Sequence, residues 1–165
     1  MTRNAIVDAL GVLKAGRIVD LTHLVHPGIQ RFGPFPAMRT EPRYTVAESG
    51  FHVEQVSFVT QYGTHVDAPE HFVEGRRTLE RIELEERGVT AVGHETLDTD
   101  GSAECGRGGL DCEKYVLESD HYQVEVMANL DKLPSTGGVI FVGLPKFDKF
   151  PGFPVRAWAV VPNED

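Results

Sequence analysis

Cysteine is scarce in this chain, since Cys105 and Cys112 are the only two among 165 residues. Six residues of a glycine-rich stretch separate them, which is not a zinc-ligand spacing. Two thiols do not make a disulfide framework either. We therefore expect two reduced thiols, as in a cytoplasmic protein.

Long apolar runs and an excess of positive charge are also missing. No apolar run approaches the length that spans a membrane, and the start Met1-Thr2-Arg3-Asn4 lacks the apolar core of a signal peptide. The net charge of −9 argues against nucleic-acid binding, which requires a basic face. The sequence therefore predicts no membrane and no nucleic-acid partner.

The rest of the composition is that of a globular domain. Hydrophobic residues make up 41% of the chain and charged residues 25%, and no repeat or long linker divides residues 1–165. Periodicity and turn residues predict these elements: a helix over Asn4–Ala15, a charged helix over Leu79–Arg87, a hairpin of Tyr44–Ala47 with Phe51–Thr60, and strands over Arg17–Leu21, Val89–Val92, Tyr122–Met127, Val139–Val142 and Gly152–Val161.

The side chains that bind metals or move protons are concentrated in one stretch. It begins at Gln61 and reads Gln-Tyr-Gly-Thr-His-Val-Asp-Ala-Pro-Glu-His-Phe. If Thr64–Asp67 is extended, His65 and Asp67 share a face, because side chains in a strand repeat every two residues. An imidazole beside a carboxylate can provide two ligands of zinc or manganese, and His71 could reach the metal or stand beside it as a base. From these residues alone, a polar loop without a ligand is an equal alternative.

This stretch resembles the signature of the metal-dependent cyclase family, which includes bacterial kynurenine formamidases and isatin hydrolases. The signature reads His-x-Gly-Thr-His-x-Asp-x-Pro-x-His, and the chain matches it from Gly63 to His71 but has Gln61 at the first position. The resemblance implies that His65 and Asp67 are metal ligands and that His71 is the catalytic proton donor and acceptor. A glutamine oxygen as the first ligand is neutral and harder than imidazole, which would favour manganese or magnesium over zinc.

A second part of the resemblance supplies a distant ligand. The stretch that begins at Glu125 reads Glu-Val-Met-Ala-Asn-Leu-Asp and is similar to the family's Glu-Asn-Leu-x-Asn-Leu-Asp, whose glutamate binds metal. Glu125 is therefore expected to join His65 and Asp67, with Gln61 completing the set. Members with two metals have a histidine twelve residues earlier, where this chain has Glu113. The resemblance thus implies a divalent cation, zinc or manganese, and argues against a second one.

The resemblance covers nearly the whole chain and also implies its fold. We expect an α/β protein, a single domain of the cyclase-like swivelling β/β/α type, with a mixed sheet or partial barrel flanked by helices. The chain is much shorter than usual members, because Leu84-Glu85 passes straight to Glu86-Arg87-Gly88, where they insert further strands. Some central strands are therefore expected to be missing, and a homo-oligomer is expected to cover the sheet edges.

The segment Thr22–Pro42, rich in proline and aromatic residues, resembles the amino terminus of the family. There an aromatic loop covers the substrate, so we expect Phe32 and Phe35 in a lid or pocket wall. In the family, the region of His94 and Asp100 follows a strand that borders the active site. Both are candidates for the pocket, and a hydrogen-bonded loop residue is the alternative for each.

Two functions are compatible with these residues. One is a metal-dependent hydrolase that cleaves an amide, lactam or N-formyl bond of a small aromatic substrate by metal-activated water, as the resemblance implies. No nucleophile-elbow pattern supports acyl transfer by serine or cysteine instead. The other is a cyclase-like remnant without activity that serves as a metal-binding or assembly module.

Overall fold

The computed structural model describes residues 3–82, 91–101 and 109–163. The helices are α1 (Arg3–Ala15), α2 (Val46–Ser49) and α3 (Asp111–Glu118), and none of them is long and apolar enough to cross a membrane. The strands are β1 (Arg17–Asp20), β2 (Arg39–Tyr44), β3 (Val53–Ser57), β4 (His65–Asp67), β5 (Ala91–Gly93), β6 (Tyr122–Glu125), β7 (Val139–Gly143), β8 (Gly152–Pro154) and β9 (Arg156–Val161). Short 3₁₀ turns span Pro69–His71, Leu79–Arg81 and Leu130–Lys132.

One sheet is three-stranded and antiparallel, in the order β1-β9-β7. Ala157, Ala159 and Val161 alternate along β9 and are buried, as expected for a strand with one face on the core. The strand predicted over Val139–Val142 is present, although its apolar run is of the type found in sheet interiors. It forms β7 at the edge of the sheet, where half of Ile140 is exposed.

The second sheet is four-stranded and mixed, in the order β5-β6-β4-β8. β5 runs parallel to β6, while β4 is antiparallel to both β6 and β8. All three residues of β4 are buried, and this strand has a paired neighbour on each side. Val66 of β4 and Val124 of β6 belong to the same buried cluster as Val19 of β1 and Ala157 of β9, so one core joins the two sheets.

A separate hairpin of β2 and β3 differs from the predicted one. Its first strand lies earlier than Tyr44–Ala47, and a helical turn, α2, replaces the expected tight connection. The Thr45 hydroxyl caps α2 by accepting from the Glu48 amide, and Gly50 ends it with φ 77°, where glycine is favoured. Every residue of both strands is exposed.

Three other predicted elements are shorter or divided. The strand over Gly152–Val161 is two strands in different sheets, β8 and β9, and the proline at its break has no amide to donate to a ladder. The strand over Tyr122–Met127 ends at Glu125, because Val126 has φ 52°. The helix over Leu79–Arg87 is a 3₁₀ turn that ends at Arg81, followed by extended Ile82.

The predicted α/β fold with a mixed sheet is confirmed, and within the described ranges no sheet closes into a barrel. The remainder of the helix predicted over Leu79–Arg87, the first residues of the strand over Val89–Val92, the shortening at 84–88 and Cys105 lie outside the described residues. The single-domain organisation and the missing central strands therefore stay predictions.

Candidate metal centre

The centre is built by two paired strands. His65 and Asp67 lie two residues apart on β4, which places them on one face of the strand, as the motif predicts. Glu125 is the last residue of β6 and the register partner of His65. These three residues are almost fully buried, with exposed fractions of 1%, 1% and 2%.

The spacing of the three side chains suits a shared cation. His65 Nε2 lies 3.4 Å from Asp67 Oδ2 and 3.6 Å from Glu125 Oε2. Ligand atoms bound at roughly 2.0–2.2 Å to a tetrahedral zinc ion are themselves about 3.4 Å apart. The donors therefore already have the separation of ligands around one ion.

Gly63 determines which nitrogen of His65 faces the cluster. The Gly63 carbonyl oxygen lies 2.7 Å from Nδ1, and because a carbonyl only accepts, Nδ1 carries the ring proton. Nε2 then directs its lone pair at two carboxylates, as in metal-binding histidines whose other nitrogen donates to a carbonyl. Gly63 has φ 64°, and a Cβ there would collide with the Ile29 side chain, so this position requires glycine.

The shifted pKa values of the three groups indicate that a positive charge between them would be stabilising. Burial raises the pKa of Glu125 to about 10, and the Asp67 charge acts in the same direction. Burial also opposes the charged forms of Asp67 and His65, but their mutual attraction lowers the pKa of Asp67 and raises that of His65. Without a metal the cluster holds protons where a cation would otherwise lie.

One carboxylate oxygen of Asp67 would also be stabilised by a cation. Asp67 Oδ2 is buried without a hydrogen-bond partner among the described residues. Leaving a buried polar atom unpaired costs roughly 1–3 kcal/mol, and more for a charged group. A cation would satisfy this oxygen, and one nitrogen with two carboxylates is a donor set suited to zinc or manganese. The residues present therefore fit a divalent metal ion.

Gln61 contacts Asp67 through its amide nitrogen, which donates to Asp67 Oδ1 at 3.1 Å. The Gln61 carbonyl oxygen accepts a short hydrogen bond from the Thr60 hydroxyl instead of facing the cluster. To bind a metal, the oxygen and nitrogen of this amide would have to exchange places. The ligand role of Gln61 stays a prediction, and in the present arrangement Gln61 orients Asp67.

His71 lies beside the centre, in the 3₁₀ turn that follows β4. The Gln61 amide nitrogen is 3.4 Å from His71 Nδ1, so Nδ1 accepts and a neutral ring carries its proton on Nε2. Nε2 lies 3.9 Å from Asp67 Oδ1, and a quarter of the side chain is exposed. The ring packs edge-on against Phe72 with centroids 4.7 Å apart, which holds its orientation.

Gly152 leaves room for Asp67 from the opposite side. It is the register partner of Asp67 on β8. A Cβ at this position would lie 2.6 Å from the Val66 carbonyl oxygen and 2.7 Å from Asp67 Oδ1. The close approach of the two strands therefore depends on glycine. The sequence analysis gave Gly152 no role, because that role exists only once β4 and β8 are paired.

A chain of hydrogen bonds holds Glu125. Gln123 donates to Glu125 Oε1 at 3.2 Å and accepts from the Thr99 hydroxyl at 2.8 Å. His94 Nε2 lies 3.1 Å from Thr99 Oγ1 and 3.7 Å from Glu125 Oε1, and burial lowers the pKa of His94. Of the two weaker candidates, His94 therefore borders the centre. Asp100 instead accepts from two amides at the start of α3, as a hydrogen-bonded loop residue does.

The helix α3 adds a carboxylate that the sequence analysis had left without a role. Glu113 is 1% exposed, and its Oε2 has no hydrogen-bond partner among the described residues. Burial raises its pKa to about 8, with the charges of Asp67 and Asp98 acting in the same direction. Ligand atoms of Glu113 come within 4.8 Å of those of Asp98 and Glu125. The sequence analysis did not identify Asp98, because no pattern indicated which element its loop would pack against.

A cavity of about 210 Å³ lies over these side chains. His65, His71 and Glu125 contribute polar atoms to its lining. Phe32 and Phe35 form part of its wall, with their rings edge to face and centroids 5.2 Å apart, and Phe72 and Leu97 add apolar surface. The aromatic wall expected from Thr22–Pro42 is thus confirmed.

Comparison with known proteins supports the motif assignment. The family model named Cyclase and described as "Putative cyclase" matches residues 19–87, which include the end of the first strand and the whole His65–His71 motif. Together with the fold, this match confirms the resemblance to the cyclase family, and the chain is cyclase-like. No curated protein matches the sequence.

Solved structures with a similar fold include isatin hydrolases. Isatin hydrolase A from Labrenzia aggregata, bound to benzyl benzoate, superposes with a TM-score of 0.80 at 20% identity, covering 97% of this chain and 99% of the other. An isatin hydrolase bound to the product analogue thioisatinate gives 0.80 at 16% identity, covering 99% and 100%. A structure described as a predicted metal-dependent hydrolase from Bacillus stearothermophilus gives 0.66 at 15%, covering 88% and 98%. At these identities the likeness establishes the fold.

Proposed function

We propose that the protein is a metal-dependent hydrolase that cleaves an amide, lactam or N-formyl bond of a small aromatic substrate. One observation carries the proposal: three buried ligand-type side chains, His65, Asp67 and Glu125, have metal-ligand spacing where they meet a cavity walled by aromatic rings. A binding module without activity would not need a proton-transferring group beside that centre. His71 is such a group.

The three buried residues would hold a divalent ion, zinc or manganese, and Gln61 would complete the set only after its amide had turned. When bound, such an ion supplies Lewis acidity and lowers the pKa of a coordinated water. The chain's own contribution is to fix the ligands. Gly63 sets the tautomer of His65, and Gln123 holds Glu125 through a 3.2 Å hydrogen bond.

His71 is the residue that we propose to transfer protons. With Nδ1 accepting from Gln61, the proton on Nε2 is available to the leaving nitrogen of the substrate. For His71 to take the proton of the attacking water first, Nε2 must be free, and this requires the Gln61 amide to turn so that its oxygen accepts from Nδ1. Gln61 therefore orients both the carboxylate and the imidazole of the reaction.

The cavity wall indicates the kind of substrate. Phe32, Phe35 and Phe72 line the cavity, and aromatic rings favour contact with a planar aromatic molecule over an aliphatic one. The name isatin hydrolase given to proteins of the same fold points to a cyclic amide fused to an aromatic ring. We therefore place isatin-like lactams and N-formylated aromatic amines first among the substrates.

The experiment compares metal-restored protein with its variants. Chelator-treated protein is reloaded with zinc or manganese and assayed on isatin and N-formylkynurenine. Turnover is expected only after reloading and is expected to be lost in His65→Ala. His52→Ala is the matched control, because His52 is exposed and is not among the residues that line the cavity. Bound metal without turnover of any cyclic amide or formamide would favour the inactive binding module.

We further propose that the protein is a homo-oligomer. The β2–β3 hairpin is exposed along its whole length, and the rings of Tyr44 and Phe51 pack there at a tilt of 38° with centroids 5.0 Å apart, while about half of each residue is exposed. A two-stranded hairpin is marginal alone in water, so packing against a second copy would stabilise it. Sedimentation equilibrium at micromolar concentration tests this, and a compact folded monomer at all concentrations would refute it.

A further inference from the structure

Glu113 brings to the cavity a buried carboxyl group that is not one of the three proposed metal ligands. The residue is 1% exposed, lines the cavity, and leaves Oε2 without a hydrogen-bond partner among the described residues. A buried polar atom without a partner is unfavourable. A hydrogen-bond donor on a molecule in the cavity would therefore be stabilised at this oxygen.

The helix α3 fixes the position of this carboxyl group. Glu113 and Leu117 lie four residues apart and are both buried, which places them on the same inward face of the helix. The backbone amides of Cys112 and Glu113 donate to the Asp100 carboxylate at 3.0 and 2.9 Å and anchor the start of the helix. A molecule in the cavity thus meets a carboxyl group that is already in place.

The cavity wall supplies no basic side chain for Glu113. Neither lysine nor arginine is among the described residues that line the cavity. A carboxylate accepts hydrogen bonds at both oxygens, and a protonated carboxyl group still accepts at its carbonyl oxygen. In either protonation state, Glu113 can accept a hydrogen bond from an N–H group of a bound molecule.

His71 lies close enough to Glu113 for one atom of a substrate to contact both. A ring nitrogen of His71 and a carboxylate oxygen of Glu113 are within 4.8 Å of each other. Two hydrogen bonds of about 2.9 Å can meet at one atom when their outer ends are up to about 5.8 Å apart. A single nitrogen of the substrate can therefore contact both side chains.

We propose that Glu113 accepts a hydrogen bond from the N–H of the amide that is cleaved, so that the protein selects lactams and N-formyl amines with a free N–H over N-alkylated ones. The inference rests on the proposed function and narrows its substrate class. When the bond between carbonyl carbon and nitrogen breaks, its electron pair stays on the nitrogen and takes the proton of His71 Nε2. Glu113 holds the original N–H meanwhile and so orients the leaving nitrogen toward His71.

The probes are 2-oxindole, a lactam with a free N–H that resists hydrolysis, and 1-methyl-2-oxindole, which lacks the N–H. Calorimetry measures the affinity of metal-reloaded protein for each, so the result does not depend on turnover. We expect 2-oxindole to bind the wild type at least about tenfold more tightly, because the methylated lactam leaves Glu113 unpaired.

Variants of Glu113 separate a hydrogen bond from a steric effect of the methyl group. Glu113→Met removes the acceptor at nearly constant volume and should bring the affinity ratio of the two lactams close to one. Glu113→Leu replaces it if that variant fails to fold. Glu113→Gln keeps an acceptor oxygen and should retain most of the preference. Glu118→Gln is the control, since Glu118 is an exposed acid of the same helix.

Three results would overturn the inference. They are no binding of 2-oxindole, equal binding of the two lactams to the wild type, and an unchanged affinity ratio in Glu113→Met, which would mean that the cavity excludes the methyl group by size alone. Turnover of isatin and 1-methylisatin distinguishes this inference from the proposed function. If neither is hydrolysed while the binding preference persists, the Glu113 contact stands and the proposed function fails.

Discussion

His65 and Glu125 are opposite one another in adjacent antiparallel strands, and His65 Nε2 is 3.6 Å from Glu125 Oε2. Register pairing brings the Cβ atoms of such residues to about 4.5–5.5 Å, close enough for their side chains to share an ion. The sheet thus joins a ligand of the motif to one distant in sequence. The position of the metal centre follows from the pairing of β4 with β6.

The role of His71 can be separated from that of the ligands. His71→Ala should keep bound metal and fold, because His71 lies beside the three-residue set, and it should lower kcat by roughly 10²–10⁴-fold. Metal content and kcat are measured on the same preparation, with His52→Ala as the control. Loss of metal in His71→Ala would assign His71 to the ligands instead.

Gln61 occupies the position where the family signature has histidine. Gln61→His should strengthen zinc binding, because imidazole is a better zinc donor than an amide oxygen. Competition between zinc and manganese, followed with a chromogenic chelator, measures the change. In the present structure the Gln61 amide nitrogen donates to Asp67, and a histidine at this position could lose that hydrogen bond. Weaker zinc binding would show that position 61 only orients the carboxylate.

The metal-free protein should become less stable as the pH rises. The pKa of Glu125 is raised to about 10 and that of Glu113 to about 8, against an ordinary value of 4.5 in the unfolded chain. Between these values the unfolded chain has released protons that the folded chain retains, so folding stability falls with increasing pH. The raised pKa of His65 acts in the same direction, because its contribution is lost as the pH rises through that pKa.

Thermal unfolding with chelator at about pH 5 and about pH 8 measures this slope. Tm should be lower at the higher pH, and added zinc or manganese should reduce the difference by replacing protons. Glu113→Gln combined with Glu125→Gln should flatten the profile, whereas Glu118→Gln should not. A Tm that rises with pH in the metal-free protein would contradict the assigned electrostatics.

Gly152 should be the most sensitive glycine of the centre. In Gly152→Ala the new methyl group would lie 2.7 Å from Asp67 Oδ1 and 2.6 Å from the Val66 carbonyl oxygen, so β8 must move away from β4. We expect at least about a tenfold loss of metal affinity, together with a lower Tm, since overpacking costs about 1–3 kcal/mol. Gly33→Ala is the control, because no atom lies within 4 Å of a Cβ there. Unchanged affinity would show that the strands adjust freely.

The sequence predicted those features of the centre that follow from the order of neighbouring residues or from the family resemblance. The period of two along a strand placed His65 and Asp67 together, and the resemblance to the cyclase family supplied Glu125. The aromatic wall around Phe32 and Phe35 was likewise expected from the resemblance of the segment Thr22–Pro42 to the amino terminus of the family. These features needed no knowledge of which strands pair.

Features that depend on pairing were not predicted. The role of Gly152 arises only where β8 meets β4, and the position of Glu113 requires α3, whose short amphipathic pattern had not been assigned. The division of the last strand into β8 and β9 follows from packing two sheets on one core. Such long-range contacts leave no periodic signal in a single sequence.

The central claim is that His65 and Asp67 hold a divalent cation, and metal stoichiometry of the double variant His65→Ala with Asp67→Ala tests it most directly. The matched control is His52→Ala with Glu54→Ala, because those residues form an exposed histidine–carboxylate contact at 2.7 Å and the substitution removes the same groups. Zinc bound per chain is counted after dialysis and elemental analysis. We expect zinc binding to be abolished in the first variant and unchanged in the control. Undiminished zinc in the first variant would contradict the account.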